Sequence, residues 1–303
     1  MAHDHGHDGA VHGRRLALVL AITGTVLVLE VVGALLTGSL ALLADAGHLL
    51  TDSAGLVLAL LAVRLGQRPA DDRRTWGYSR AETLAAAGQA VLLLAVGGYV
   101  LVEGVRRLLE PTSVASTGML VFGVVGLVGN AASLAVLSGS RSANLNLRAA
   151  FLEVLLDAVG SLAVVVAAVV IAVTGWTRAD AVVSLLIGVL ILPRTIALLR
   201  DATRVLLETT PAGLDLADVR RHILEVPHVQ EVHDLHASQI ATGLPVLSAH
   251  VVVDDACFYD GHLPRLLDDL QHCVAEHFDL SVAHSTFQFE QAAHVSHEAP
   301  GHR

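Results

Sequence analysis

The sequence predicts a polytopic α-helical membrane protein of six transmembrane helices, followed by a small α/β domain. Three observations predict it. The 303 residues are 53% hydrophobic and only 16% charged, too apolar for an ordinary soluble chain of that length. The apolar residues gather in six runs of about 20, the length a helix needs to cross a ~30 Å hydrocarbon core. These runs are Leu16–Leu36, Leu40–Val63, Ala81–Val102, Thr117–Leu137, Ala149–Val173 and Ala181–Leu199. From about Glu208 onward, charges, histidines and short alternating segments replace them.

The first two runs are joined by the short turn Thr37-Gly38-Ser39. No signal-peptide pattern is expected, because the first run is long enough to span and more spans follow. Pro193 falls inside the sixth run and is expected to kink it. All basic residues are arginine. Arg14, Arg15, Arg64, Arg68, Arg73, Arg74, Arg80, Arg141, Arg148, Arg200 and Arg204 fall on one side, against Arg106, Arg107 and Arg178 on the other. The positive-inside rule then places both termini in the cytosol. Cys257 and Cys273 lie on that reducing side, with a spacing that suits neither a CxxC site nor a disulfide framework, so they read as packing residues. A net charge of −10 leaves no basic face for nucleic acid.

Beyond the spans, residues 207–290 read as helix, strand, strand, helix, strand. The helix covers Asp215–Glu225 with Asp215 as N-cap, the strands Gln230–Ile240 and Pro245–Val253 flank Ala241-Thr242-Gly243, a second helix covers Leu263–His277, and the last strand covers Val282–Glu290. That αββαβ order is a ferredoxin-like sandwich. The spans occupy residues 14–206. Residues 1–13 and 291–303 are histidine-containing tails, expected from composition to be disordered and to bind metal weakly.

Ionisable groups inside a bilayer cost roughly 2.5–3.5 kcal/mol each on insertion scales, so they point to function. The second run carries Asp45, His48 and Asp52 in LLADAGHLLTDSAG, and the fifth carries Glu153 and Asp157 in FLEVLLDAVGS. Positions i and i+4 share a helix face, so His48 with Asp52 and Glu153 with Asp157 form two matched pairs. Facing each other, they present one imidazole and three carboxylates, a set suited to tetrahedral zinc. Of 17 histidines, only His48 lies between residues 13 and 221. Both stretches share a [His/Glu]-x-x-x-Asp-x-x-Gly pattern with Gly55 and Gly160 in matching places, a weak internal repeat that lets two backbones approach. Asp45 is open between an outer ligand, a proton carrier and a cavity charge. Glu30, Glu82 and Glu103 line a vestibule or pair with arginines.

The chain resembles the cation diffusion facilitator family, in particular its zinc-exporting bacterial branch. The matching stretches are LTGSLALLADAGHLLTD (Leu36–Asp52), WGYSRAETLAA (Trp76–Ala86), LLDAVGS (Leu155–Ser161), LLETTP (Leu206–Pro211) and VHDLHASQIATGLPVLSAHVVVDD (Val232–Asp255). The resemblance implies a homodimer that exports divalent metal from the cytosol in exchange for protons, by alternating access. It places transport ligands at His48, Asp52 and Asp157, with Glu153 in a fourth position where zinc-transporting relatives carry histidine. It further implies cytosolic zinc ligands at His233, His250, His284 and Glu290. Carboxylate in place of imidazole hardens the site, which leaves cadmium, cobalt, iron(II) and manganese open as alternative cargoes.

An intramembrane metalloenzyme would need HExxH or a comparable base beside an open zinc position, and the sequence has none. A metal-sensing membrane protein would not need paired intramembrane ligands. The expectation is therefore a transporter and not an enzyme, with metal ions, protons and membrane lipid as partners and no organic cofactor.

Overall fold

A computed structural model describes residues 5–138 and 145–294. Its helices are α1 (His5–Thr37), α2 (Leu40–Gly66), α3 (Ala81–Leu109), α4 (Ser116–Ser138), α5 (Leu145–Thr174) and α6 (Arg178–Leu206). Each contains a stretch long and apolar enough to span a bilayer, with mean hydropathy between 1.7 and 2.7. Large apolar side chains such as Val28, Leu35, Val128, Leu156 and Leu190 stay exposed along them, as lipid-facing residues do. The protein is a multi-pass membrane protein. The helices and the C-terminal region form two separate compact units, the second including the connection between α2 and α3.

Several boundaries differ from expectation, α3 among them, which runs to Leu109 instead of Val102. The stretch His5–Gly13, read as part of a disordered tail, continues α1 as helix. Extending an existing helix adds a hydrogen bond per residue without a new nucleation cost, and the apolar span supplies the nucleus. α6 runs through Pro193 to Leu206 instead of ending near Leu199. Residues 1–4 and 295–303 of the two tails lie outside the described residues.

Close packing sets the positions of the helices. α1 packs on α4, and α4 on α5. Glycine is required where α1 and α4 touch: a Cβ on Gly33 would lie 2.5 Å from Phe122 Cγ, and one on Gly129 would lie 2.3 Å from Val26. A cluster of Ala34, Leu40, Leu42, Val100, Met119, Val164, Ala168 and Ile187 draws on all six helices. The two glycines of the repeat behave differently. Gly160 of α5 faces Asp45 of α2, whereas Gly55 faces Gln89 of α3, so only one of them serves the α2–α5 approach.

The turn between α1 and α2 is held from far along the chain. Gly38 adopts φ +69, a left-handed conformation that glycine takes without strain. The buried Asp180, in the first turn of α6, then accepts from the Ser39 hydroxyl (2.6 Å), the Leu40 N–H (2.8 Å) and the Ala41 N–H (3.1 Å). Arg107 of α3 lies 3.7 Å from the same carboxylate and donates to the Gly38 carbonyl at 2.6 Å. The N-terminus of α2 is therefore capped by a residue 140 positions away.

The C-terminal domain contains α7 (Leu216–Leu224), β1 (Val229–Ala241), β2 (Leu244–Val253), a short α8 (Cys257–Asp260), α9 (Leu263–Glu276) and β3 (His284–Glu290). Asp215 caps α7 by accepting from the Ala217 N–H. The sheet order is β1-β2-β3. β1 pairs antiparallel with β2, and β2 pairs parallel with β3, which a crossover through α9 permits. Val219 and Ile223 of α7 and Leu266, Leu270 and Val274 of α9 bury against Val232, Val251 and Val253 of the sheet. Cys257 and Cys273 are buried and not disulfide-bonded. Burial pushes both thiols up, which favours the protonated form.

Removing the Asp180 carboxylate would orphan several buried donors, at about 1–3 kcal/mol each when nothing replaces it. Asp180→Ala is expected to lower stability by roughly 2–4 kcal/mol, read as a clear fall in the thermal midpoint of detergent-solubilised protein. Asp180→Asn keeps one acceptor oxygen and should lose less.

Candidate metal centres

One turn of α2 separates His48 from Asp52, so both side chains leave the same helix face. Asp157 reaches them from α5. His48 Nε2 lies 3.4 Å from Asp52 Oδ2 and 3.6 Å from Asp157 Oδ1. One ligand atom from each of the three residues falls within 4.8 Å of the other two. Asp157 is buried, and His48 and Asp52 are partly so.

No donor satisfies this group. Asp52 Oδ2, Asp157 Oδ1 and His48 Nδ1 are buried without a hydrogen-bond partner. Two carboxylate oxygens converging on one imidazole nitrogen call for a proton among them, on the ring or on a carboxyl, or for a cation between the three. A nitrogen and two oxygens with a fourth position open is a donor set that suits a tetrahedral divalent ion.

The remaining intramembrane acids lie elsewhere. Glu153 is half-exposed, and its Oε1 pairs with Arg194 Nη2 of α6 at 3.3 Å, outside the triad. Asp45 is buried and accepts from the Ser161 hydroxyl at 3.0 Å. Glu103 pairs with Arg106 and Arg107 on its own helix. Sequence reasoning passed over Arg194; a lone arginine next to Pro193 inside an apolar run was the available signal. It also passed over Asn130 and Ser161, uncharged residues that no ligand pattern marks.

A second group forms on the C-terminal sheet. His233 and His250 are directly paired across β1 and β2, and their rings are 5.2 Å apart. Glu290, at the end of β3, is 3% exposed. Its oxygens lie 3.3 Å from His233 Nε2 and 2.8 Å from His250 Nδ1. A bulge follows His233: the register shifts between His233 and His236, and Asp234 takes φ 46. Bulges re-aim side chains beside functional sites, and this one adjoins the ligand strand. These three residues converge, but His284 does not join them. Its ring stacks edge-on against Trp76 with centroids 4.9 Å apart.

Residues 16–207 match the family model of the cation efflux transmembrane domain, and residues 211–292 match that of the cation efflux protein cytoplasmic domain. The chain belongs to the cation efflux family, the cation diffusion facilitators. Relatives of this efflux protein include the metal cation efflux system protein CzcD of Cupriavidus metallidurans, 43% identical over 99% of this chain and 93% of that one. The zinc transporter ZitB of Escherichia coli is 40% identical over 96% of this chain and 93% of its own length. A cadmium, cobalt and zinc/H(+)-K(+) antiporter of Bacillus velezensis is 36% identical over 97% and 93%. The efflux protein is thus a metal cation transporter and not an enzyme.

The Glu153–Arg194 pair is half-exposed, and pairs of that kind contribute about 0–1 kcal/mol. Were Glu153 to join a divalent ion in the triad as a fourth ligand, it would first have to leave Arg194. Arg194→Ala should therefore tighten metal binding by a few-fold, and Glu153→Gln should weaken it by roughly tenfold or more. Zinc competition titrations on both variants decide this. Wild-type affinity in both would remove Glu153 from the site.

Proposed function

We propose that this efflux protein exports a divalent cation, zinc foremost, from the cytosol across a bacterial inner membrane in exchange for protons. His48, Asp52 and Asp157 hold the ion, and Glu153 becomes the fourth ligand once Arg194 releases it. The observation that carries this reading is the convergence of two carboxylates and an imidazole between two membrane helices, each with a buried atom left without a hydrogen-bond partner among the described residues. The names of the relatives, a zinc transporter and a cadmium, cobalt and zinc antiporter, support the same class of cargo. Three carboxylates and one imidazole still admit cobalt, iron(II) or manganese, because oxygen donors favour harder ions, and the antiporter relative's name keeps cadmium among the alternatives.

The exchange follows from ligand chemistry. Metal binds deprotonated groups, so loading releases protons and protonation expels metal. A deprotonated imidazole accepts the ion; outside, a more acidic medium favours its protonation and weakens the site. Alternating access arises as the helices bearing the ligands open to one side and then the other. The arginine bias places both termini in the cytosol.

We further propose a homodimer, with a second metal bound in the C-terminal domain by His233, His250 and Glu290. Three convergent ligands with one nearly buried carboxylate favour that site over a solvated surface cluster. His284, engaged with Trp76, stays outside it.

Purified protein in sealed vesicles tests the reading. Uptake of zinc, cadmium, cobalt and manganese is followed with and without an imposed pH gradient. Zinc transport should depend on the gradient and move protons the opposite way. Asp157→Ala should abolish it, a fall of at least about a hundredfold given the loss of a direct ligand, while leaving an assembled dimer. Transport by Asp157→Ala at the wild-type rate would overturn the assignment.

A further inference from the structure

Next to the metal triad lies a second polar cluster that no ligand role accounts for. Glu30 of α1 is 1% exposed, and neither of its carboxylate oxygens meets a hydrogen-bond donor among the described residues. Asp45 of α2 is its acidic neighbour: a Cβ on Gly126 would lie close to both Glu30 Oε1 and Ser161 Oγ, the hydroxyl that contacts Asp45. Around them, α4 supplies Asn130 and Gly126, and α5 supplies Ser161 and Gly160. Asn130 Nδ2 donates to Ser161 Oγ at 3.1 Å, and Ser161 Oγ donates to Asp45 Oδ2 at 3.0 Å. The serine hydroxyl has one proton and gives it to Asp45, so nothing remains for Glu30.

The glycines make room for this arrangement. A Cβ on Gly126 would lie 2.3 Å from Glu30 Oε1, and one on Gly160 would lie 3.0 Å from Asp45 Oδ1. The charged groups that reach Glu30 are Asp45 from α2 and Asp157 from α5, both acidic. α4 offers it only the neutral Asn130. Two carboxylates in contact, buried and without a cation, cannot both be ionised. Their contact becomes a hydrogen bond only when one of them carries a proton.

We propose that Glu30 and Asp45 share one proton and form a proton-carrying pair distinct from the metal ligands His48, Asp52 and Asp157. The pair holds the proton while the triad is empty. A divalent ion at Asp157 cancels the negative charge that both acids face, so the shared proton leaves as metal arrives and returns as it departs. The exchange then has a proton carrier that never touches the cargo. This step rests on the triad holding the ion.

Two measurements on full-length protein in detergent test the pair. In metal-free protein, the infrared carbonyl stretch of a protonated carboxyl should be present at neutral pH and absent in Glu30→Gln. Glutamine keeps the shape of Glu30 and places an N–H where the proton sat, so the cluster should still pack. Protons released per zinc bound are then counted with a pH-indicator dye in weak buffer. Glu30→Gln and Asp45→Asn should each release about one proton fewer than wild type. The double variant should lose no more than either single variant. Zinc affinity should stay within about tenfold of wild type in both, a coupling effect and not a ligand loss.

Absence of the protonated-carboxyl band, or an unchanged proton count in both single variants, overturns the pair. Loss of two protons in the double variant would make the acids independent. Zinc binding lost as in Asp157→Asn would make Glu30 a ligand, and a proton count that sodium or potassium abolishes would make the cluster a monovalent-cation site. If wild type shows the band but binds no zinc, the triad assignment fails and the shared proton stands.

Discussion

A buried carboxylate in a bilayer must be matched by a donor, a proton or a cation, and the membrane unit is organised around how each of its acids meets that demand. Asp180 meets it with donors: a hydroxyl, two backbone N–H groups and a nearby arginine. Glu103 meets it with arginines of its own helix. Asp52 and Asp157 have oxygens with no donor at all. The first two are structural because their charge is already balanced. The last two are the ones we propose to hold cargo, because theirs is not.

That division also separates rigid from exchangeable parts. The Asp180 cap joins the α1–α2 turn to α3 and α6, and it does so through bonds that cost several kcal/mol to abandon. The triad joins α2 to α5 only through acceptors that repel one another when empty. Binding of a cation would convert that repulsion into attraction and draw the two helices together, so occupancy and helix approach are coupled by electrostatics alone. Glycines at the α1–α4 contact and at Gly160 keep the backbones close enough for single side chains to bridge them.

The C-terminal cluster obeys the same logic by a different construction. Its two histidines are set opposite each other by strand register, and the buried Glu290 is delivered by a parallel strand that only the α9 crossover can place there. A sheet fixes the spacing of its side chains more tightly than two helices do, so this group is less able to open and close. Such rigidity suits retention of an ion, whereas the membrane triad suits passage.

Much of this was legible in the sequence. Run length and hydropathy marked the six spans, because a bilayer imposes one length on every helix that crosses it. The i, i+4 spacing of His48 and Asp52 put them on one face, and turn chemistry placed the β1–β2 connection at Gly243. Periodicity, however, assigns a residue to a face of its own helix and not to a partner. It could not tell that Glu153 turns to Arg194 while Asp157 meets His48, that Asp45 pairs with Ser161 and Glu30, or that His284 lies on Trp76 while Glu290 completes the histidine pair. Those choices were made by which helices and strands lie side by side, a matter of packing between segments as far apart in the chain as those of Trp76 and His284. Local sequence specifies an element and its faces; which charge each face meets depends on contacts that exist only after the chain has folded.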